Sequence, residues 1–151
     1  MAARGRIERR LADDTGSTLP LVVFYGFLGL ALVLIVAAAS SLYLERKRLF
    51  TLADGAALVG AESFQLDAVS FGSHGPRPVL QPGEVRAAVA SYLAGNPMDE
   101  FDALVVERAT TVDGESATVT ISAVWHPPVV TVFVPEGMRI EATAVARSVF
   151  G

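Results

Sequence analysis

The sequence contains no cysteine, which excludes disulfides, thiolate metal sites and thiol nucleophiles. Histidine is almost as scarce. His74 lies in a Gly/Pro-rich stretch and His126 precedes two prolines. A zinc site needs three or four convergent ligands, and neither ring has a partner at metal-ligand spacing. Clustered basic charge is also missing. Lys and Arg total 12 against 16 acidic residues, a net charge of −4, so the chain lacks the electrostatic footprint of a nucleic-acid binder. No Walker loop, Rossmann glycine pattern or Gly-x-Ser-x-Gly elbow occurs, which leaves phosphate cradling and serine nucleophily without residues to rest on. Asp99, Glu100 and Asp102 offer oxygens of the kind calcium prefers. They lack the glycine of an EF-hand turn and read as a solvated loop. These absences predict a non-enzymatic protein with no cofactor, no metal, no small-molecule substrate and no nucleic-acid partner.

Hydrophobic residues make up 52% of the chain, and they concentrate in one place. From Leu19 to Leu44 there are 26 residues without a charge. As a helix that run would be about 39 Å long at 1.5 Å per residue, longer than the roughly 30 Å hydrocarbon core it would have to cross. Its few polar groups, Tyr25, Ser40, Ser41 and Tyr43, lie near the two ends, where interfacial aromatics and hydroxyls are tolerated. The run predicts a transmembrane helix over 19–44, with membrane lipid as its partner.

Residues 1–18 then form a basic leader with four arginines against three acids, while Arg46, Lys47 and Arg48 follow the span. From Glu45 onward eight basic residues face thirteen acidic ones, a balance of −5. The arginine-rich short tail and the larger acidic remainder predict a cytoplasmic N-terminus and an extracytoplasmic C-terminal domain in a cell membrane. Two processing signals are legible. Ala37-Ala38-Ala39 has the small-residue form of a signal-peptidase site, with the cut before Ser40. Gly16, placed between the leader and the apolar run, has the position of a prepilin-type site. As a plain helix start, Gly16 is a turn, Ser17 or Thr18 the N-cap, and Pro20 a first-turn residue.

The helical pattern continues past the span. Over 45–66, Leu49, Ala53, Ala56, Gly60 and Phe64 recur at spacings of three and four. Ala53, Ala57 and Ala61 repeat every four residues, and with Gly60 they make a small-residue stripe that permits close approach. Two readings fit it: the stripe packs on the chain's own domain, or it receives a partner helix. Asp54 is the one charge in the middle of the stripe. It either faces water or makes a specific contact.

Residues 67–151 read as a small α+β domain. Residues 67–83 carry several Gly and Pro and read as a loop. Pro82-Gly83 opens a short helix over 84–94, with Val85, Ala88, Val89, Tyr92 and Leu93 on one face and Gly95-Asn96-Pro97 as its stop. Strands are predicted over 103–112, 116–125, 129–134 and 138–149. Asp113-Gly114 is a hairpin signal between the first two, and Pro135-Glu136-Gly137 a turn before the last. In 116–125, Ala117, Val119, Ile121, Ala123 and Trp125 alternate with polar residues, which predicts one core face and one polar face. The expected architecture is a long helix packed on a four-stranded antiparallel sheet with one short helix.

The leader with Gly16, the segment Leu52-Ala53-Asp54-Gly55-Ala56-Ala57-Leu58-Val59-Gly60-Ala61 and the strand Ile140-Glu141-Ala142-Thr143-Ala144-Val145-Ala146 occur together. In this combination the chain resembles the TadE/TadG-like proteins of tight-adherence (Flp-type) pilus systems, most closely their actinobacterial type. Asp54, Ala56, Ala57, Leu58, Gly60 and Ala61 match a stretch that follows the anchor in that family. The resemblance implies a pseudopilin-like architecture, a role in assembling or anchoring the pilus or a related secretion machine, and partnership with other Tad subunits through the long helix. The fifth residue after Gly16 is Leu21, where pilin subunits carry Glu. This departure points to an accessory component rather than a major fibre subunit. The other class compatible with these residues is a membrane-anchored binding or envelope-adaptor domain unrelated to pili.

Overall fold

A computed structural model describes residues 18–64, 70–72, 75–77, 79–96, 100–128 and 135–148. Gly16, His74, Asp99 and the strand expected over 129–134 lie outside them. The chain divides into two compact units, Met1–Ser40 and Ser41–Gly151.

The described part of the first unit is helix. It is the beginning of α1, which runs Thr18–Ala61. Its large side chains from Leu19 to Val36, Leu34 excepted, are each more than half exposed, and none of its most apolar window is buried. A core helix of a water-soluble protein would hide this surface. Helix α1 is long and apolar enough to cross a membrane, and its bare apolar circumference is compatible with single-pass anchoring.

The second unit begins within α1 and contains β1 (Ser70–Gly72), β2 (Gly75–Arg77), α2 (Pro82–Ala94), β3 (Asp102–Thr111), β4 (Ser116–Trp125) and β5 (Met138–Arg147). The helix ends at Ala61 rather than continuing to 66. Ser63 Oγ donates to the Gly60 carbonyl at 2.7 Å and closes the last turn. Part of the stretch read as a loop is a ladder, β1 pairing antiparallel with β2 through Ser70↔Arg77, Phe71↔Pro76 and Gly72↔Gly75.

The larger sheet has three strands in the order β3-β4-β5, which corrects the expected four. A meander through all four segments would have put 129–134 between β4 and β5. Instead β4 pairs directly with β5 from Ser116↔Arg147 to Trp125↔Met138, so that position is filled. Pro127 and Pro128 follow β4, and proline cannot donate to a ladder. The edge strand β3 carries two register shifts against β4, and Ala103 at the first of them has φ +48°.

The β3–β4 connection is built around Asp113. Its carboxylate accepts the Glu115 N–H at 2.9 Å, the Ser116 N–H at 2.7 Å and the Ser116 hydroxyl at 2.9 Å, while Gly114 takes φ +72°. The Glu115 amide, then the Ser116 amide and hydroxyl, hold the Asp113 carboxyl down at about 2, because each donor stabilises the charged form. Helix α2 starts with Pro in its first turn and stops where the Gly95 N–H reaches the Ser91 and Tyr92 carbonyls, with the Asn96 side chain also donating to the Tyr92 carbonyl at 2.7 Å.

One core joins these elements. Leu49, Ala53, Ala56, Ala57 and Ala61 of α1, Val85, Val89 and Leu93 of α2, and the odd-numbered residues of β4 from Ala117 to Trp125 are all buried. The Trp125 indole N–H donates to Ser41 Oγ at 3.3 Å.

Candidate functional site

No group of three or more His, Asp or Glu converges as a metal site among the described residues. Of the acidic residues after Pro97, Asp102 pairs instead with His126, whose Nδ1 lies 3.2 Å from Oδ2. Both side chains are solvent-accessible, and neither adjoins a nucleophile in the described hydrogen bonds.

The small-residue stripe has a definite location. Ala53, Ala57, Gly60 and Ala61 are buried inside the chain's own second unit, and Asp54 is exposed. The absence of large side chains lets α1 come down onto α2 and β4. A Cβ added to Gly60 would stand 3.2 Å from both Ala117 Cβ and Val85 Cγ1. Val85 and Val89 occupy the volume that a larger residue would need. The stripe's surface is therefore already covered within the molecule.

What α1 leaves open from the end of the apolar run onward is a different face. Tyr43, Leu44, Phe50 and Leu58 are each half or more exposed, and Asp54 lies among them. Tyr43, Phe50 and Leu58 stand seven and eight residues apart, so they recur along one side of the helix. Their spacing is present in the sequence beside the stronger alanine periodicity, which marks the buried face.

The outward face of the sheet carries a second polar arrangement. Ser122 Oγ donates to Glu107 Oε1 at 2.6 Å and accepts from Arg139 Nη1 at 2.7 Å. Glu107 and Arg139 themselves stand 3.6 Å apart. One row along, the Thr120 and Thr143 hydroxyls lie 3.0 Å apart. These groups knit the three strands together across their polar side. Ser122 and Thr120 are buried, although strand alternation alone predicts them wet.

Helix α1 is also the part of the chain that a known family matches. Residues 16–63 match the family described as Flp pilus-assembly TadE/G-like. This segment resembles that family. The match ends two residues beyond the end of α1, so the portion similar to this family is the helix with its buried stripe and exposed face. The family is a pilus-assembly component, and nothing in the described residues adds a positive sign of catalysis. No curated protein and no solved structure matches the chain.

Proposed function

We propose that the chain is a non-catalytic accessory component in the assembly or anchoring of a Tad (Flp-type) pilus or related secretion machine. The TadE/G-like match over α1 is the observation that carries this reading. In it, residues 19–44 hold the protein in the cell membrane. The four leader arginines lie on the cytoplasmic side and the acidic α+β domain lies outside. Ala53, Ala57, Gly60 and Ala61 are packing residues that fix the sheet unit to α1. Other pilus-assembly subunits meet the exposed face of α1, where Phe50 and Leu58 supply apolar area and Asp54 supplies a charge to orient the contact.

In-cell photocrosslinking tests this. Probes placed at Phe50, Asp54 and Leu58 are expected to capture other subunits of the pilus machinery. A probe at Val112, which is 87% exposed in the β3–β4 connection, is the control that should not. Deleting the gene should remove surface pili, and the wild-type chain should restore them. Normal piliation without the protein, or crosslinking no stronger than at Val112, would return the chain to the reading of a membrane-anchored adaptor outside any pilus.

A further inference from the structure

A groove of ≈ 360 Å³ lies between α1 and the end of α2. Leu44, Leu52 and Phe101 give it an apolar wall, and Lys47, Arg48 and Glu100 bring charge to it. Its position along the helix is informative. Leu44 is the last residue of the uncharged run, and Lys47 and Arg48 follow three and four residues later, about 4.5 and 6 Å further along the axis. The run is about 39 Å long as helix, against a hydrocarbon core of roughly 30 Å. On the membrane-anchored reading, the end of the run reaches the headgroup layer, and the two cations follow within about 6 Å along the helix.

We infer that this groove binds the head of an anionic glycerophospholipid from the membrane that α1 crosses. The inference rests on the membrane-anchored reading above. Lys47 and Arg48 take the phosphodiester, Glu100 accepts hydrogen bonds from head-group hydroxyls such as those of phosphatidylglycerol, and the first acyl carbons lie against Leu44 and Phe101. Charge complementarity selects this occupant. Two cations and one carboxylate leave a single positive charge, which one phosphodiester neutralises. A phosphatidylcholine head brings no net charge and no hydroxyl or amine hydrogen for Glu100. A free phosphate would leave the apolar wall wet.

The test uses the full-length protein in mild detergent, with phosphatidylglycerol or phosphatidylcholine titrated in and bound lipid counted by native mass spectrometry. Phosphatidylglycerol is expected to bind about tenfold more tightly, a preference of about 1.4 kcal/mol. Lys47→Gln with Arg48→Gln should abolish the preference while leaving the unfolding temperature unchanged. Equal binding of the two lipids, or a preference that survives the double substitution, overturns the site. Displacement of phosphatidylglycerol by inorganic phosphate at millimolar concentration overturns it in favour of a simple anion site. Flotation with vesicles separates this from the reading beneath it. If the protein floats with pure phosphatidylcholine, the anchor stands whatever the groove binds. If it floats with no vesicle, the anchor and the lipid site fall together.

Discussion

Gly60 of α1 lies against Ala117 of β4, so close that a Cβ on the glycine would be 3.2 Å from that of the alanine. Val85 and Val89 of α2 close the same point from the side, at 3.2 and 3.4 Å. Glycine here costs the helix about 1 kcal/mol relative to alanine, and what it provides is room. Gly60→Leu should therefore destabilise the sheet unit by roughly 2–3 kcal/mol through overpacking. Gly60→Ala should be close to neutral, the gain in helix propensity offsetting a shift of a few tenths of an ångström. Urea unfolding of the full-length protein in detergent, followed by the fluorescence of its one tryptophan, Trp125, measures both. A Gly60→Leu protein as stable as wild type would mean that α1 does not sit on the sheet this closely.

Gly137, just before β5, is constrained twice. Its φ is +67°, and an added Cβ would come within 2.8 Å of the Trp125 carbonyl oxygen and 2.9 Å of His126 Nε2. Gly55 makes a useful contrast. Its nearest obstacle is the Tyr92 hydroxyl, the far end of a side chain that can swing away. Gly137→Ala is expected to cost about 2 kcal/mol or more, combining left-handed strain with a backbone clash. Gly55→Ala should match or exceed wild-type stability. Thermal unfolding of the two single variants decides it, and a reversed order would contradict the turn geometry.

Much of this arrangement is readable from residue patterns because it depends on local rules. The uncharged 19–44 run, the Asp113-Gly114 hairpin, Pro82 and Gly95 at the ends of α2, and the Pro135-Glu136-Gly137 turn all announce themselves. The β1–β2 ladder does not, because three-residue strands containing Gly and Pro have no alternation to detect. Thr120 and Ser122 are hidden for a different reason. They belong to the central strand, where long neighbours such as Glu107 and Arg139 lie over them from both sides. The alanine stripe shows that close packing will occur without showing against what, since small residues admit a sheet as readily as a helix. The groove beside Lys47 and Arg48 is invisible in one dimension because Glu100 and Phe101 reach it from some fifty residues away.

The Glu107–Ser122–Arg139 arrangement predicts a division between hydroxyl and ion pair. The side chains of Glu107 and Arg139 are 44% and 52% exposed, so their direct attraction is screened by water and should contribute under about 1 kcal/mol. Ser122 is buried and joined to both. A double-mutant cycle of Glu107→Gln with Arg139→Gln should give a coupling below about 1 kcal/mol. Ser122→Ala should cost about 1 kcal/mol, because the hydroxyl both donates and accepts within the sheet. A coupling several times larger would show that the ion pair, and not the serine, holds this face together.

Asp113 sets an acid limit on the hairpin. Its carboxyl is held at about 2 in the folded protein, below the ordinary 3.8, first by the Glu115 amide and then by the Ser116 amide and hydroxyl. A carboxyl depressed on folding gives stability that is complete above its unfolded value and is lost as pH falls through its folded one. The relevant window is therefore from about pH 4 down to about pH 2. At neutral pH an Asp113→Asn variant should be less stable than wild type, since the amide keeps one acceptor oxygen and loses the charge that strengthens these bonds. As pH falls through the window, wild type loses its advantage while the variant has no group to titrate at this position. The two urea midpoints should converge near pH 2, and the other acids, common to both proteins, cancel in the difference. Carbon-detected NMR of the Asp113 carboxyl supplies the matching microscopic value. A midpoint near the ordinary 3.8, or a stability gap that stays constant from neutral pH to pH 2, would mean that the three donors do not hold the carboxylate in solution.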